Sequence, residues 1–288
     1  MEIIVAKNAG ACYGVTRSLE IVTDVAKQGK ITATLGELIH NPLVVQDLKE
    51  NFGVGSADSV DDALNNNVEK LIIRSHGVPL DILDQAQKSG IEIIDATCPY
   101  VKNVQNTASI LASLYPAVII IGKAGHPEIK SVSSFITKQG IKCFVGETRE
   151  EIDEFIDEVL ALNDSVGVVS QTTQSAEVFE DMLEYLRQKG LKLEVENTIC
   201  AATKKRQESA EELAGQVDAM IIIGGHNSSN TNHLAQLCKK HCKWVFHIES
   251  ADELDVKKIQ KFGTVGITAG ASTPKSHVEK IVNGLNIL

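Results

Sequence analysis

The chain has no apolar run approaching the ~20 residues that a membrane-spanning helix needs, and its longest ones, AVIII and AMIII, are strand-length. This excludes an integral membrane protein with helical spans. Basic residues are in deficit, with 28 Lys and Arg against 38 Asp and Glu, for a formal net charge of -10 over 288 residues. That is the wrong sign for a surface that attracts nucleic acid as a whole, so no nucleic-acid partner is expected and any anionic ligand must be held locally. The opening MEIIVAKNAG reads as a strand, without the charged stretch and hydrophobic segment of a secretory signal, and a cytoplasmic location is expected. Six cysteines are too sparse for a disulfide scaffold, and in a reducing compartment they stay thiols or metal ligands. There is also no CxxC pair, no GxGxxG after a strand and no GxxxxGK(S/T) loop, which removes the usual support for NAD or nucleoside triphosphate binding. With 6 prolines and no Gly/Ser-rich stretch, the domains must join through short connections.

What is present is a regular alternation. Short β-branched runs are each followed by a small or polar turn and a helical pattern: IIVAKNAGACYGV, TATLGELIHN, KLIIRSHGV, IEIIDATCPYV, AVIIIGKAGHPE, SVGVVSQTTQS, LEVENTICAAT, AMIIIGGHNSSN and TVGITAGASTP. Helices read clearly in SLEIVTDVAKQG, EEIDEFIDEVLALN, AEVFEDMLEYLRQKG and KKRQESAEELAGQ. Alternating strands and helices predict an α/β fold with parallel sheets covered on both faces. Cys12, Cys98 and Cys200 each follow a strand at a spacing of about 90–100 residues, and DATC and NTIC resemble one another. Three modules are expected, over residues 1–97, 98–197 and 198–288. Ligands of open parallel sheets gather at the carboxyl ends of strands, so three such modules around one axis would bring the three cysteines to one point.

Three thiolates from distant loops could hold zinc with an open position, or a [4Fe–4S] cluster with one iron lacking a protein ligand, or be buried structural or nucleophilic cysteines. Cys143 in IKCFV reads as a core residue, and Cys238, His241 and Cys242 at helical spacing could clip a metal. His40, His76 and His126 each sit just past an apolar strand, where imidazoles can donate to phosphate oxygens and carry protons near pH 7. The GGHNSSN loop before a helix offers Ser228, Ser229 and Asn230 to an anion, unless they only cap that helix. GASTP, with Ser272, repeats the arrangement. Glu128 in GHPE could be a proton donor of raised pKa, and Thr172 and Thr173 could relay that proton or bind an alcohol, unless all three are helix caps.

Taken together, AGACYGV, GELIHNP, SHGV, DATCPYVK, GHPE, QTT, NTICAATKKRQ, NSSNT and GASTP resemble the motifs, in order, of the 4-hydroxy-3-methylbut-2-enyl diphosphate reductase (LytB/IspH) family. The likeness runs from the first strand to Ser272. It implies a trefoil of three pseudo-equivalent α/β domains with small parallel sheets around a central site. It also implies one [4Fe–4S] cluster held by Cys12, Cys98 and Cys200, with one iron open to the substrate hydroxyl. By the same resemblance His40, His76, Ser228, Asn230 and Ser272, with Ser229 beside them, would bind a diphosphate. His126, Glu128 and Thr172 would surround an allylic alcohol, with Glu128 as proton donor. The family reaction is a reductive dehydroxylation giving isopentenyl and dimethylallyl diphosphates, fed with single electrons by a ferredoxin or flavodoxin. Ala11 and Tyr13 stand where phenylalanine is common in the family, and His233 where a basic residue is expected. The competing readings are a quinolinate-synthase-like trefoil enzyme, a non-catalytic iron–sulfur redox sensor, and a zinc hydrolase of phosphate esters.

Overall fold

The computed structural model of the chain describes residues 1–162 and 165–286. Strand β1 (Glu2–Val5) and helix α1 (Tyr13–Ala26) open the chain. Then come β2 (Thr32–Leu35), α2 (Pro42–Phe52), β3 (Gly55–Ala57), α3 (Val60–Asn65), β4 (Lys70–Ile73), α4 (Leu80–Lys88) and β5 (Glu92–Asp95). A second stretch holds α5 (Pro99–Leu114), β6 (Ala117–Ile121), α6 (Pro127–Thr137), β7 (Lys142–Gly146), α7 (Arg149–Asp153), α8 (Ile156–Leu160), β8 (Ser165–Ser170), α9 (Ala176–Gln188) and β9 (Lys192–Val195). The last holds α10 (Ala201–Ala214), β10 (Ala219–Ile223), α11 (Ser229–His241), β11 (Trp244–Ile248), α12 (Val256–Ile259), β12 (Thr264–Ala269) and α13 (Lys275–Asn286).

The strands form three four-stranded sheets in the orders β3-β2-β4-β5, β7-β6-β8-β9 and β11-β10-β12-β1. Every pairing is parallel. The three orders are one pattern: within each unit the first strand pairs with the second on one side and the third on the other, and a fourth strand closes the far edge. In the third sheet that fourth place is taken by β1, paired with β12 from Glu2↔Thr264 to Val5↔Ile267. The first residues of the chain therefore lie in the third sheet, not in the expected 1–97 module. An uncovered β12 would leave a row of unpaired backbone groups, and the amino-terminal strand satisfies them. The expected third module also runs to residue 288, and its last two residues lie outside the described ones.

Each sheet is covered on both faces, as near-continuous apolar strands require. In the second sheet Ile119, Ile121, Val166 and Val168 pack against α7, α8 and α9. The alternate residues Val118, Ile120 and Val169 pack against α5 and α6. Ile119, Ile120 and Ile121 are fully buried, each worth ~1.5–3 kcal/mol over an exposed side chain. The expected helix in EEIDEFIDEVLALN is instead the two short helices α7 and α8, with Phe155 between them as a non-helical cap at φ -122°. Its last residue, Asn163, lies outside the described residues.

The helices after the fourth strands leave their own sheet. After β1 of the third sheet, α1 packs Val15, Val22 and Val25 on the first. After β5 of the first, α5 packs Val104, Ala108 and Leu111 on the second. After β9 of the second, α10 packs Ala210, Leu213 and Ala214 on the third. These three crossings tie the units into a ring, and a cysteine sits at the start of each.

Candidate functional site

Cys12, Cys98 and Cys200 are the residues immediately before α1, α5 and α10. Each backbone N–H donates to a carbonyl in the loop after the third strand of a unit. Cys12 donates to Ala271 at 3.1 Å, Cys98 to Ser75 at 2.9 Å and Cys200 to Thr172 at 3.0 Å. All three side chains line one central cavity, with three helix N-termini and their partial positive charge converging on it. Burial pushes the Cys98 and Cys200 thiols up, opposed by backbone N–H groups of the first helical turns at Tyr100 and Val101, and at Ala202 and Thr203. Gly14 is what lets two thiols meet there: a Cβ on it would stand 2.4 Å from Cys98 Sγ and 3.9 Å from Cys12 Sγ.

The same pseudo-symmetry places the polar groups. Loops after first strands, with the first turns of the helices that follow, carry His40, His126 with Glu128, and Ser228 to Asn230. Loops after third strands carry His76, Thr172 and Ser272. All of them line the cavity that holds the cysteines. In a sheet of this order the loops of the first and third strands flank the point where the chain reverses direction, where parallel sheets bind ligands. Thr173 lines the cavity too, its hydroxyl accepting from Gln171 Nε2 at 2.9 Å.

Glu128 is 1% exposed. Its carboxylate accepts from the Thr172 backbone N–H at 2.7 Å and from Thr172 Oγ1 at 2.6 Å. It does not cap its own helix, and Thr172 does not cap α9, a task Ser175 performs. Burial pushes the Glu128 carboxyl up, against the pull of both Thr172 bonds, which favour the charged form.

His40, His76 and His126 form a cluster with ring centroids 4.5–5.3 Å apart. His126 Nδ1 accepts from the Glu128 backbone N–H at 3.2 Å, which in the neutral ring leaves Nε2 as the donor. Both nitrogens of His40 and Nδ1 of His76 are buried without a partner, a costly state that a ligand would relieve. Burial first, and then the charges of His40 and Arg74, push His126 down to about 3. Burial also holds His76 well below the usual range, with His40, His126 and Arg74 adding to it, and lowers His40. Burial thus favours the neutral form of all three imidazoles, which still carry N–H donors.

The loop beside them is assembled across units. Asn41 Nδ2 donates to the Ser272 carbonyl at 2.9 Å, and Ser272 Oγ donates to the His40 carbonyl at 3.1 Å. Ser228 caps α11 by accepting from Thr231 N–H. The Asn230 side chain is 3% exposed, with neither amide atom partnered, and Ser229 lines the cavity half-buried. His233 lies just outside the cavity, its Nδ1 2.9 Å from the Thr173 carbonyl.

Two residues escaped the reading of the sequence. Gly14 is one. Arg206 is the other: it is 3% exposed, lines the cavity and donates from Nη2 to the Gly10 carbonyl at 2.7 Å. Its signal was available, because Thr203, Arg206, Ala210, Leu213 and Ala214 share one face at helical spacing within an otherwise charged segment. The Cys238, His241 and Cys242 clip does not form. Cys238 donates to the Ala210 carbonyl, Cys242 to carbonyls including Trp244, and His241 pairs with Glu211 at 2.9 Å.

Fold and cavity together define an α/β protein of three permuted sheet units around a three-thiol, three-histidine centre. The LytB protein family profile matches residues 3–286, and the chain belongs to that family. A 4-hydroxy-3-methylbut-2-enyl diphosphate reductase from Caldanaerobacter subterraneus subsp. tengcongensis is 40% identical, over 100% of this chain and 98% of its own. One from Pelobacter propionicus is 40% identical over 98% of this chain and 96% of its own. A solved structure of (E)-4-hydroxy-3-methyl-but-2-enyl diphosphate reductase, the terminal enzyme of the non-mevalonate pathway, aligns over 100% of both chains with TM-score 0.71 and 36% identity. The corresponding Plasmodium falciparum structure aligns over 99% of this chain and 88% of its own at TM-score 0.86, and at 24% identity bears on the fold alone. Among the described residues no helix is long and apolar enough to cross a membrane.

Proposed function

We propose that the chain is an iron–sulfur reductase that removes the hydroxyl of (E)-4-hydroxy-3-methylbut-2-enyl diphosphate to give isopentenyl and dimethylallyl diphosphates. The centre is one [4Fe–4S] cluster on Cys12, Cys98 and Cys200 with one iron free of protein ligands. The observation that carries this reading is the placement of a buried, Thr172-gripped Glu128 in the same cavity as three thiols at helix N-termini. The thiols suit a cluster better than a single ion. Among the described residues the only His, Cys, Asp and Glu groups whose ligand atoms all fall within 4.8 Å of one another are the three histidines. The three cysteine sulfurs do not form such a group, as the ligands of one tetrahedral ion would.

When bound, such a cluster supplies electrons and a Lewis-acidic iron for an alcohol oxygen, which is a poor leaving group on its own. The protein does the rest. Neutral His40 and His76, the Ser228 and Ser229 hydroxyls, the Asn230 amide and the Ser272 hydroxyl, once it turns from the His40 carbonyl, donate to the diphosphate oxygens. Its arrival satisfies buried atoms that otherwise lack partners. Anchoring the diphosphate fixes where the far end of the short carbon chain falls, so that the alcohol meets the thiol side of the cavity. Burial pushes the Glu128 carboxyl up, which favours the protonated form that can serve the departing hydroxide. Thr172 Oγ1, 2.6 Å away, orients that carboxyl, and His126 lines the same cavity. The electron donor we infer is a ferredoxin or flavodoxin, small carriers that deliver one electron at a time.

The test is anaerobic turnover of the allylic diphosphate with reduced viologen, with iron and sulfide counted on the same sample. Five-carbon diphosphates from cluster-loaded protein are expected; a loaded cluster with no turnover would refute the reading. The histidine trio alone is close enough to hold a metal ion, which favours a zinc hydrolase as the second reading. Zinc at one per chain without sulfide would establish that reading instead.

A further inference from the structure

Of the described residues that line the central cavity, Arg206 alone carries a fixed positive charge. It is 3% exposed, and the partners of its guanidinium are neutral carbonyls: Nη1 donates to Ala202 at 3.3 Å and Nη2 to Gly10 at 2.7 Å. Nε is buried with no partner at all. No carboxylate pairs with it among the described residues. Arg206 lines the same cavity as Cys12, Cys98 and Cys200. A buried, unpaired guanidinium is expensive, and folds keep one only where an anion compensates it. An anionic metal centre held by the three cysteines of that cavity would supply the compensation.

We propose that Arg206 is a positioning residue for the iron–sulfur centre: its guanidinium is the counter-charge of the anionic cluster and favours entry of the electron. The inference rests on the cluster reading given above. Three thiolates around an oxidised [4Fe–4S] core carry one net negative charge. A single electron from an external one-electron reductant makes it two, with no bond made or broken at Arg206. A fixed cation nearby stabilises the reduced form more than the oxidised one, and local charge is among the factors that set cluster potentials. The bond to Gly10 adds a second effect. Gly10 precedes Cys12 in the loop after β1, and Arg206 lies on α10 behind Cys200, so one side chain ties two ligand-bearing segments that are 196 residues apart.

The experiment is an anaerobic redox titration of the holoenzyme followed by electron paramagnetic resonance, with iron and sulfide counted for wild type, R206Q and R206K. R206Q is expected to hold a cluster whose reduction constant is lower by about tenfold or more, a fall of about 59 mV per tenfold for one electron. R206K keeps the charge and loses the planar fork, so its reduction constant stays within about threefold of wild type. A loaded R206Q with an unchanged potential overturns the proposal. If R206Q holds no cluster, R206K decides alone, and a tenfold or greater fall in it overturns the role of charge. Wild type without iron and sulfide would instead sink the cluster reading itself, which separates the two failures.

Discussion

Taking the iron-free protein from pH 7.5 to pH 5 will cost it stability at the histidine trio, and the size of the cost follows from burial. His126 is pushed down to about 3 from 6.5. Above pH 6.5 neither folded nor unfolded His126 is charged, and the group contributes nothing to the pH dependence. Between pH 6.5 and about 3 the unfolded chain takes up a proton that the folded one refuses, so stability falls as pH falls. Integrating that difference gives a loss of about 2 kcal/mol at pH 5 from His126 alone, and His76 and His40 act in the same direction. Glu128, raised in the folded state, acts in the opposite direction: its penalty is relieved as pH falls through its folded pKa. It is common to both members of a wild type and H126N pair, so comparing the two isolates the imidazole. Asn is a good N-cap residue and keeps an acceptor for the Glu128 N–H that His126 Nδ1 now serves. Urea denaturation at the two pH values is the assay. H126N should lose about 2 kcal/mol less than wild type on acidification. Equal losses in the two proteins would refute the claim that His126 is held neutral by its surroundings.

Three further outcomes are expected. E128Q removes the proton but keeps a side chain of the same shape, so kcat should fall about 10²–10⁴-fold with iron and sulfide content unchanged; undiminished turnover would show that another group supplies the proton. T172V deletes a 2.6 Å bond that favours the ionised Glu128 carboxylate. The Glu128 pKa should then rise further and the alkaline limb of the kcat–pH profile should move to higher pH, while a shift to lower pH would contradict the assigned direction. G14A sets a Cβ 2.4 Å from Cys98 Sγ, and the folded protein, checked by circular dichroism, should retain less than about half the wild-type iron, because a displaced thiolate leaves the metal centre short of a ligand. Full iron loading of G14A would show that the sulfur has room to move.

The alternation of β-branched runs with amphipathic helices was enough to predict parallel sheets, because the two side-chain periods differ and can be read locally. Two of the strands were not legible. Gly55–Ala57 carries no apolar run, and Trp244–Ile248 follows a charged helix end; both are held by pairing with distant strands. The cysteines, histidines, Glu128 and the Ser228–Asn230 loop stood out because each closes an apolar strand at a small or glycine-containing turn. Their roles were not legible in the same way: Ser228 turned out to cap a helix, Asn230 to be buried with both amide atoms unpartnered, and Glu128 to be gripped by Thr172 from 44 residues away. Sequence by itself thus determined the fold class, the motif positions and the residue types available for chemistry, all of which depend on neighbours along the chain. Tertiary structure alone decided that β1 completes the third sheet, that the crossings between units gather three thiols, that Gly14 makes room for them, and that Arg206 lies buried beside them. Those outcomes depend on which edge needs a strand and which charge loses its water, and both are properties of contacts between segments far apart in the chain.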